Sequence, residues 1–483
     1  MGLSAWKQYG ASRWALRVNP SSGNLHPTEA YVLVDGRVSH YAPREHALEE
    51  RCGLDESAWM AWIRPPSDDG AFLVALTSIY WREAWKYGER AFRYCQHDAG
   101  HAIGALRLAA ALLGWRLALL PRWSDAQLTT LLGLDRDADF PDAEREEAEC
   151  LAVVTPGDPS WWIDRDPVTL VAAAARGAWR GTANRLSGSR IDWPIIDEVA
   201  AATRYPGIRD PGSGVRKARS ESGVRHARSD ARTHAPSHQR DVLARAMMLQ
   251  RRSALAFDGE SGLSRDAFRT MLRRLQPPAP PWDAIDWSPE VHLALFVHRV
   301  EGLDPGLYAY IRHPAVLREW QAMMRSEFLW EPMNLEPMNR NPSTQAPQHD
   351  ELFLLAPLDC RRLANRVCCD QEIAAGGFFS LGMIARVEPA LRERGEWHYR
   401  RLYWECGLIG QVLYLEAETT GGRATGIGCF YDDPVHEVLG LAGHTWQSLY
   451  HFSVGVAVDD PRLTTERGYA WEPTHERTKD AKR

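Results

Sequence analysis

The stretch Asn-Pro-Ser-Ser-Gly-Asn-Leu-His-Pro-Thr-Glu-Ala-Tyr occupies residues 19–31 and runs directly into the apolar segment Val32–Val34. Prolines near both ends stiffen the stretch, and its centre offers hydroxyls, an amide and one glycine that lets another group approach the backbone closely. All of these residue types are also ordinary turn formers, so composition alone favours a plain turn before a strand. A ligand-holding loop that leads into a strand is the alternative, and it needs support from elsewhere in the chain.

Downstream of this stretch, one sequence pattern occurs twice, 307 residues apart. In each copy, small residues and leucines at helical spacing predict a buried helix that ends at a glycine. An unbroken register of this length indicates two copies of one α+β module in a single chain. The matched pairs are Gly88 with Gly395, Glu89 with Glu396, Arg93 with Arg400, Asp98 with Glu405, Gly100 with Gly407, Leu106 with Leu413, Leu108 with Leu415, Ala110 with Ala417, Gly114 with Gly421, and Leu132-Gly133-Leu134 with Leu439-Gly440-Leu441.

The two copies differ in a complementary way. The second copy opens with Arg251-Arg252-Ser253, where two guanidinium groups and a hydroxyl suit a phosphate, although a basic pair is more often solvated surface. The first copy begins without such an opening but holds the loop at residues 19–31. At the matching place the second copy instead has the proline-rich segment 277–281.

Two further segments are present in only one copy. Gly426-Ile427-Gly428 would let backbone amides approach a planar ligand, whereas the first copy has Leu119, Leu120 and Pro121 in that register. Lys86-Tyr87 occurs only in the first copy, where the second has Glu393 and Arg394. A lysine beside a tyrosine is normally surface charge next to a half-buried ring.

Taken together, the loop at 19–31, the Arg-Arg-Ser opening and the Lys-Tyr-Gly-Glu-Arg segment before Asp98-Ala99-Gly100-His101 resemble the nitroreductase superfamily. They are most similar to its SagB-type branch, the FMN-dependent dehydrogenases that oxidise azolines to azoles. The resemblance implies an α+β fold of two fused nitroreductase-like modules, each with a central, mostly antiparallel sheet flanked by helices. The two modules would form a pseudo-dimer within one chain.

The resemblance also implies an FMN cofactor in one composite site, with the pseudo-symmetric second site degenerate. Lys86 and Tyr87 are the implied catalytic pair, because oxidation of a C–N heterocycle needs a base to take a proton while flavin N5 takes the hydride. The implied cofactor-binding residues are Pro20, Ser21, Ser22, Asn24, Arg251, Arg252, Ser253, Gly426, Ile427, Gly428 and Arg462.

The expected function is therefore an FMN-dependent oxidoreductase acting on a small molecule or a modified peptide. Two alternatives stay open: a nitroreductase or quinone-type NAD(P)H oxidoreductase, and a catalytically silent scaffold in a peptide-modifying complex. Fold alone does not choose among these activities. The sequence leaves the substrate, the electron donor, the direction of the reaction and the number of bound flavins undetermined.

Composition sets broad limits on the class of protein. The 483 residues are 45% hydrophobic and 25% charged, as in soluble globular proteins. A formal charge of -6 argues against nucleic acid as the main partner. There is no apolar run of about 18 residues that would span a membrane, so we expect a cytoplasmic protein that acts without a membrane. The internal pseudo-dimer makes a monomer the expected state.

Composition along the chain predicts its division into domains. We expect a first nitroreductase-like domain at 1–180, a flexible linker rich in Arg, Ser and Gly at 181–240, a second such domain at 241–470 and a polar tail at 471–483. Within the first domain, residues 3–17 form a short aromatic and basic lead-in to the loop.

Metal binding and disulfides are both weakly indicated. His97 and His101 stand four residues apart, but no third ligand is evident and the repeat partners are Trp404 and Leu408. The eight cysteines form no Cys-x-x-Cys pair. The adjacent Cys368 and Cys369 could be a redox pair, but vicinal cysteines seldom close a disulfide, and buried thiols are expected.

Overall fold

A computed structural model describes residues 1–64, 70–189, 191–208, 238–333 and 351–470. About half of the expected linker, residues 209–237, and the expected tail at 471–483 lie outside the described residues. The strands are β1 (Leu3–Tyr9), β2 (Ser12–Arg17), β3 (Thr28–Val34), β4 (Arg37–Ala42), β5 (Ala47–Gly53), β6 (Phe72–Ser78), β7 (Arg116–Leu119), β8 (Glu147–Thr155), β9 (Ala178–Trp179), β10 (Val291–Val297), β11 (Gly306–Tyr310), β12 (Glu331–Pro332), β13 (Leu352–Pro357), β14 (Phe379–Arg386), β15 (Arg423–Ile427), β16 (Trp446–Gly455) and β17 (Thr464–Arg467). The helices are α1 (Glu56–Ile63), α2 (Trp81–Tyr87), α3 (Ala91–Leu112), α4 (Asp125–Leu132), α5 (Ser160–Ile163), α6 (Val168–Ala175), α7 (Pro194–Ala202), α8 (His238–Gln250), α9 (Arg265–Arg274), α10 (Leu317–Met323), α11 (Arg361–Val367), α12 (Ile373–Gly376), α13 (Val387–Arg394), α14 (His398–Thr419) and α15 (Asp432–Leu439).

Two seven-stranded sheets form the centres of two modules. Six strands follow the same order in both sheets, whereas the edge strands β9 and β12 enter at different points of the chain. The first sheet has the order β7-β8-β6-β3-β4-β5-β9, and the second has the order β15-β16-β14-β10-β11-β13-β12. Every pairing within the two sheets is antiparallel. The expected fold class, α+β with two fused nitroreductase-like modules forming a pseudo-dimer, is confirmed.

The strands that lie at the centre of each sheet are apolar on both faces. β6 and β14 correspond in the two modules, and nearly all of their residues are buried. Short apolar runs of this length are typical of strands covered on both sides. The loop at residues 19–27 leads into β3, a central strand of the first sheet, so the core fixes its position.

The long helices α3 and α14 repeat the 307-residue offset and pack against each other. Both span 22 residues. They cross where Gly100 faces Gly407: a Cβ atom on Gly100 would lie 2.2 Å from the Trp404 carbonyl oxygen, and one on Gly407 would lie 2.3 Å from the His97 carbonyl oxygen. Because only glycine lacks a Cβ, the two backbones touch here as no other residue pair would allow. The crossing joins the two modules at their centre.

A third, three-stranded sheet connects the two ends of the described chain. β1 pairs with β2 on one side and with β17 on the other, in the order β17-β1-β2. The Leu3 amide donates a hydrogen bond of 2.9 Å to the Tyr469 hydroxyl, and Arg13 forms an ion pair of 2.7 Å with Glu466. Residues 3–17, expected to be a lead-in, thus form a hairpin that pairs with a strand more than 440 residues away.

Among the described residues, no helix combines the length and the apolar character that crossing a membrane requires.

Replacing Gly407 by alanine should destabilise the protein, because the new methyl group would overlap the backbone of α3. Overpacking of this kind costs about 2 to 3 kcal/mol of the free energy of unfolding. Chemical denaturation of Gly407→Ala measures this cost, with Gly53→Ala as the matched control, since a Cβ on Gly53 would meet no atom within 4 Å. Equal stability of the two variants would contradict the close crossing.

Candidate functional site

A cavity of about 320 Å³ lies between the modules, a size typical of small-molecule sites. Both modules and the hairpin β1–β2 contribute to its walls, so neither copy forms it alone. The lining residues are Lys7, Trp14, Leu16, Arg17, Asn19, Pro20, Ser21, Ser22, Gly23, Asn24, His26, Asp98, His101, Arg251, Arg252, Ser253, Ala254, Leu255, Tyr414, Thr425, Gly426, Tyr450 and Leu463.

The loop before β3 forms one wall in an unusual backbone conformation. Gly23, Asn24 and His26 have φ values of +58°, +60° and +53°. Non-glycine residues occupy this region rarely, and such strain persists only where surrounding contacts hold it. Here the Ser21 hydroxyl accepts a hydrogen bond of 2.8 Å from the His26 amide, and the Asn24 side-chain amide donates one of 2.8 Å to the Ala15 carbonyl. The loop is therefore held rigidly against the hairpin.

Arg251 and Arg252 form the opposite wall and have different roles. Arg251 donates hydrogen bonds to the Val18 and Arg17 carbonyls, and its guanidinium lies 5.0 Å from the ring centre of Tyr414. Its Nη1 is buried and has no partner. Arg252 donates through Nη1 to the Leu249 and Arg251 carbonyls and to Ser4. Arg252 thus supports the segment, while Arg251 leaves one donor available.

The charge around Arg251 is mainly positive. Arg17, Arg251 and Arg252 are all largely buried, and burial lowers the pKa of each. For Arg252, burial and the neighbouring Arg251 charge lower the pKa to about 9, with Glu418 as an opposing carboxylate. Buried cations held close together favour an anion with several oxygens, such as a phosphate.

Ser253 and Gly426 lie on the same side of the cavity and are linked through Tyr414. Its hydroxyl is 2.9 Å from the Ser253 hydroxyl and accepts a hydrogen bond of 2.9 Å from the Gly426 amide. A Cβ on Gly426 would lie 1.8 Å from the Tyr450 hydroxyl, so only glycine fits there. The Arg-Arg-Ser segment and β15 therefore form one surface of the cavity.

Two carboxyl groups are buried behind the loop. Asp98 lines the cavity and is hydrogen-bonded to Ser21 and to the Ser22 backbone, while Ser21 also contacts Glu83. Asp98 Oδ2 and Glu83 Oε2 are buried without a partner. Burial, and for Glu83 also the nearby Asp98 charge, raises the pKa of both carboxyls. The pair therefore favours protonation.

Lys86 and Tyr87 contact the loop from outside the cavity wall. A Cβ on Gly23 would lie 2.6 Å from the Tyr87 hydroxyl and 2.9 Å from Lys86 Nζ. Burial raises the pKa of Tyr87, with Lys86 opposing the shift through a hydrogen bond. Lys86 is exposed. The pair therefore lies within a few ångströms of the loop, with Lys86 exposed and Tyr87 half-buried.

Eight of the eleven expected cofactor-binding residues line the cavity, and three do not. Ile427 is buried in the core of the second module, and Gly428 packs on Tyr94 while its carbonyl accepts a hydrogen bond of 2.9 Å from Arg90. Arg462 is exposed and forms an ion pair of 2.7 Å with Asp460. The structure does not bring these three residues to the cavity.

The pseudo-symmetric position is almost filled. A space of about 30 Å³ remains there, with Leu119, Leu120 and Pro121 where the second copy has Gly426, Ile427 and Gly428. Trp397, Trp404 and Tyr205 occupy the region. Arg400, the repeat partner of Arg93, is already paired with Asp125 and Glu149. This second position is too small for a ligand of the size that the first cavity admits.

Histidines 97 and 101 have structural surroundings. The His97 ring stacks on Tyr450 at 4.0 Å and bonds the Leu449 carbonyl, and His101 Nε2 lies 3.3 Å from the Tyr450 hydroxyl. Burial lowers the pKa of both, that of His101 to about 3. Across the described ranges, no three His, Cys, Asp or Glu residues are grouped as a metal site.

Sequence reasoning does not identify several lining residues, among them Asp98 and the hairpin residues Lys7, Trp14 and Arg17. It also misses Glu83, which lies behind the loop next to Asp98. Asp98 stands in the sequence as a position of the repeat and as part of the Asp98-Ala99-Gly100-His101 segment of the resemblance, but not as a site residue. Segments that are present in only one of the two copies indicate a composite cavity. They identify the loops that form it, but not these additional side chains.

Raising the pH should destabilise the ligand-free protein through Asp98. Its pKa in the folded state is raised, so above the ordinary carboxyl pKa of about 4 the unfolded chain releases a proton that the folded chain keeps, and stability falls as the pH rises. Urea denaturation between pH 5 and 8 should show a smaller loss for Asp98→Asn than for the wild type. Glu437→Gln, at an exposed carboxylate, is the control, and parallel curves for Asp98→Asn and wild type would contradict the prediction.

Comparison with known proteins gives one family match and several structural relatives. Residues 11–141 match the model of the nitroreductase family. No curated protein matches the chain. Among solved structures, a protein assigned as a nitroreductase from Anabaena variabilis has a TM-score of 0.65 at 20% identity, covering 95% of this chain and 86% of its own.

Two further structures match about half of the chain. The McbBCD microcin synthetase complex of E. coli, with truncated pro-MccB17 bound, has a TM-score of 0.31 at 18% identity over 44% of this chain and 70% of its own. A protein assigned as a nitroreductase from Ralstonia eutropha has a TM-score of 0.29 at 13% identity over 45% and 84%. The family match at residues 11–141 and the Anabaena structure together identify the architecture: two nitroreductase-like modules fused in one polypeptide.

Proposed function

We propose that the protein is an FMN-dependent oxidoreductase with one composite flavin site. The observation that carries the proposal is the cavity between the modules, where the Arg251 guanidinium of one module faces the rigid Ser21–Asn24 loop of the other. The family match supports the same activity class. The nearly filled pseudo-symmetric position supports one site per chain.

The residues around the cavity fit the chemistry of FMN. The buried, unpartnered Nη1 of Arg251 suits a phosphate oxygen, and the Ser253 hydroxyl lies on the same side. The unpartnered Asn19 Oδ1 and the hydroxyl of Ser22 suit polar atoms of a ribityl chain or a ring. Arg252 holds the backbone that carries Arg251.

Bound FMN would supply two-electron redox chemistry through hydride transfer. The chain's own contribution to an azoline oxidation of the SagB type is proton removal, for which we propose Lys86 as the base and Tyr87 as its positioning partner. Both groups contact Gly23, and the exposure of Lys86 leaves it open to a substrate. Burial raises the pKa of the Tyr87 phenol and keeps it protonated, so Tyr87 does not compete as a base, while its oxygen is hydrogen-bonded to Lys86.

The proposal extends to the substrate and the setting of the enzyme. We infer a small heterocyclic molecule or a modified peptide as substrate, since Lys86 of the proposed catalytic pair is exposed next to the loop that lines the cavity. Because both modules belong to one chain, a monomer is sufficient to form the site. We also propose a cytoplasmic location.

Arg251→Gln should weaken FMN binding about tenfold to a hundredfold, the usual cost of a lost hydrogen bond to a charged group. Fluorescence titration with FMN and with riboflavin measures the effect. Riboflavin lacks the phosphate, so its affinity should change little, which separates loss of a phosphate contact from a disturbed fold. Arg274→Gln, at an exposed arginine of the same module, is the control. Unchanged FMN affinity, or no FMN binding by the wild type, would refute the composite site.

Lys86→Ala should retain FMN but reduce oxidation of an azoline-containing peptide by about 100-fold to 10,000-fold, the usual contribution of a general base. Tyr87→Phe should show a smaller loss, because the ring remains. Turnover monitored by mass spectrometry checks both, with Glu89→Gln, at an exposed residue of the same segment, as the control. Full activity of Lys86→Ala would remove Lys86 as the base.

A further inference from the structure

Two cysteines that are distant in sequence lie together at the surface of the second module. The Sγ atoms of Cys369 and Cys429 are 2.9 Å apart, although 60 residues separate them. Cys429 is exposed and Cys369 is half-buried, whereas the other six cysteines are buried. Closing a disulfide requires the sulfurs to approach by about 0.9 Å, to a bond length of about 2.05 Å. The sequence alone predicts buried thiols, with the adjacent Cys368 as the alternative partner of Cys369.

Hydrogen bonds on both sides hold the two segments in this position. The Tyr431 amide donates a bond of 2.9 Å to the Val367 carbonyl. The Gln371 side chain donates bonds of 2.9 Å to the Cys429 carbonyl and of 2.7 Å to the Cys368 carbonyl. The contact between the sulfurs thus follows from the packing of two backbone segments.

The backbone also separates the adjacent cysteines. Cys369 and Asp370 both have φ values of +55°, a conformation that residues other than glycine rarely adopt. Cys368 points inward, with Sγ 3.2 Å from His451 Nδ1. Cys369 therefore faces Cys429 and not its neighbour in sequence.

We propose that Cys369 and Cys429 are a thiol–disulfide exchange site that low-molecular-weight disulfides oxidise and low-molecular-weight thiols reduce. The Cys429 thiol, as its thiolate, attacks one sulfur of the small disulfide and releases one small thiol. Cys369 then loses its proton to water and attacks Cys429 Sγ, which releases the second small thiol. Two protein thiols are oxidised to one disulfide, and one small disulfide is reduced to two thiols.

Exposure and charge assign the order of attack. Cys429 is the exposed thiol, so it is the one a small disulfide reaches first. Burial and the adjacent Cys429 raise the pKa of Cys369, while Arg90 opposes the shift and Asp370 adds to it. Cys369 consequently stays protonated until Cys429 is already joined to the incoming sulfur, and it acts second.

Incubation of the full chain with oxidised glutathione, followed by non-reducing peptide mapping, tests the proposal. The wild type should form a Cys369–Cys429 disulfide without a retained glutathione, and reduced glutathione should reverse it. Cys369→Ser should instead keep one glutathione on Cys429, because no thiol is left to release it. Cys429→Ser should show little modification of Cys369.

Cys368→Ser is the control, and it should behave as the wild type does. A stable glutathione adduct on wild-type Cys429, a Cys368–Cys369 disulfide, or resistance of both thiols to oxidised glutathione would each overturn the proposal. Because the wild-type peptide map alone decides among these outcomes, the test does not depend on the folding of any variant.

Discussion

The contact of Gly100 with Gly407 is the constraint on which the rest of the structure depends. With no Cβ on either residue, α3 and α14 approach until their backbones touch. This approach brings His97 and His101 of one helix against Tyr450 of the other module. Asp98, two residues before Gly100 on α3, lies beside the loop that precedes β3 in its own module. The cavity exists where it does because two modules with separate sheets share this single close crossing.

Asp98 on α3 and its repeat partner Glu405 on α14 occupy equivalent positions but have different surroundings. Glu405, the repeat partner of Asp98, is paired with Arg312 and accepts hydrogen bonds from the Trp287 indole and the Val291 amide. Its charge is balanced by Arg312, and its hydrogen bonds hold the first residue of β10 in place, so Glu405 has a structural role. In the described part of the chain no ion pair is seen for Asp98: the Arg17 charge only partly offsets the effect of burial on its pKa, and one oxygen stays unpartnered beside the cavity. Duplication placed a carboxyl at both positions, and the surrounding charges made one of them part of a packed core and the other part of a cavity wall.

Much of the architecture could be predicted because the repeat can be recognised by comparing the sequence with itself, without knowing any contact in the fold. The offset that matches Gly100 with Gly407 also relates α3 to α14, which have equal lengths. An apolar run predicts β6. The hairpin at residues 3–17 could not be predicted, because its partner β17 is distant in sequence and its own pattern is weak. For the same reason Arg17 and Trp14 were missed at the cavity. Gly428 and Arg462 were expected there, but their nearest partners, Tyr94 and Asp460, lie elsewhere.

Fusion explains how one site can be kept while the other is filled. In a symmetric homodimer each substitution appears at both sites, so neither can change alone. In a fused chain Trp397 and Trp404 can fill one position while the other stays open. The difference is electrostatic as well as steric. Arg400 is already neutralised by Asp125 and Glu149, whereas Arg251 lies among like charges with a free donor. Electrostatic attraction therefore favours binding of an anionic ligand only at the cavity near Arg251. The available space favours the same site.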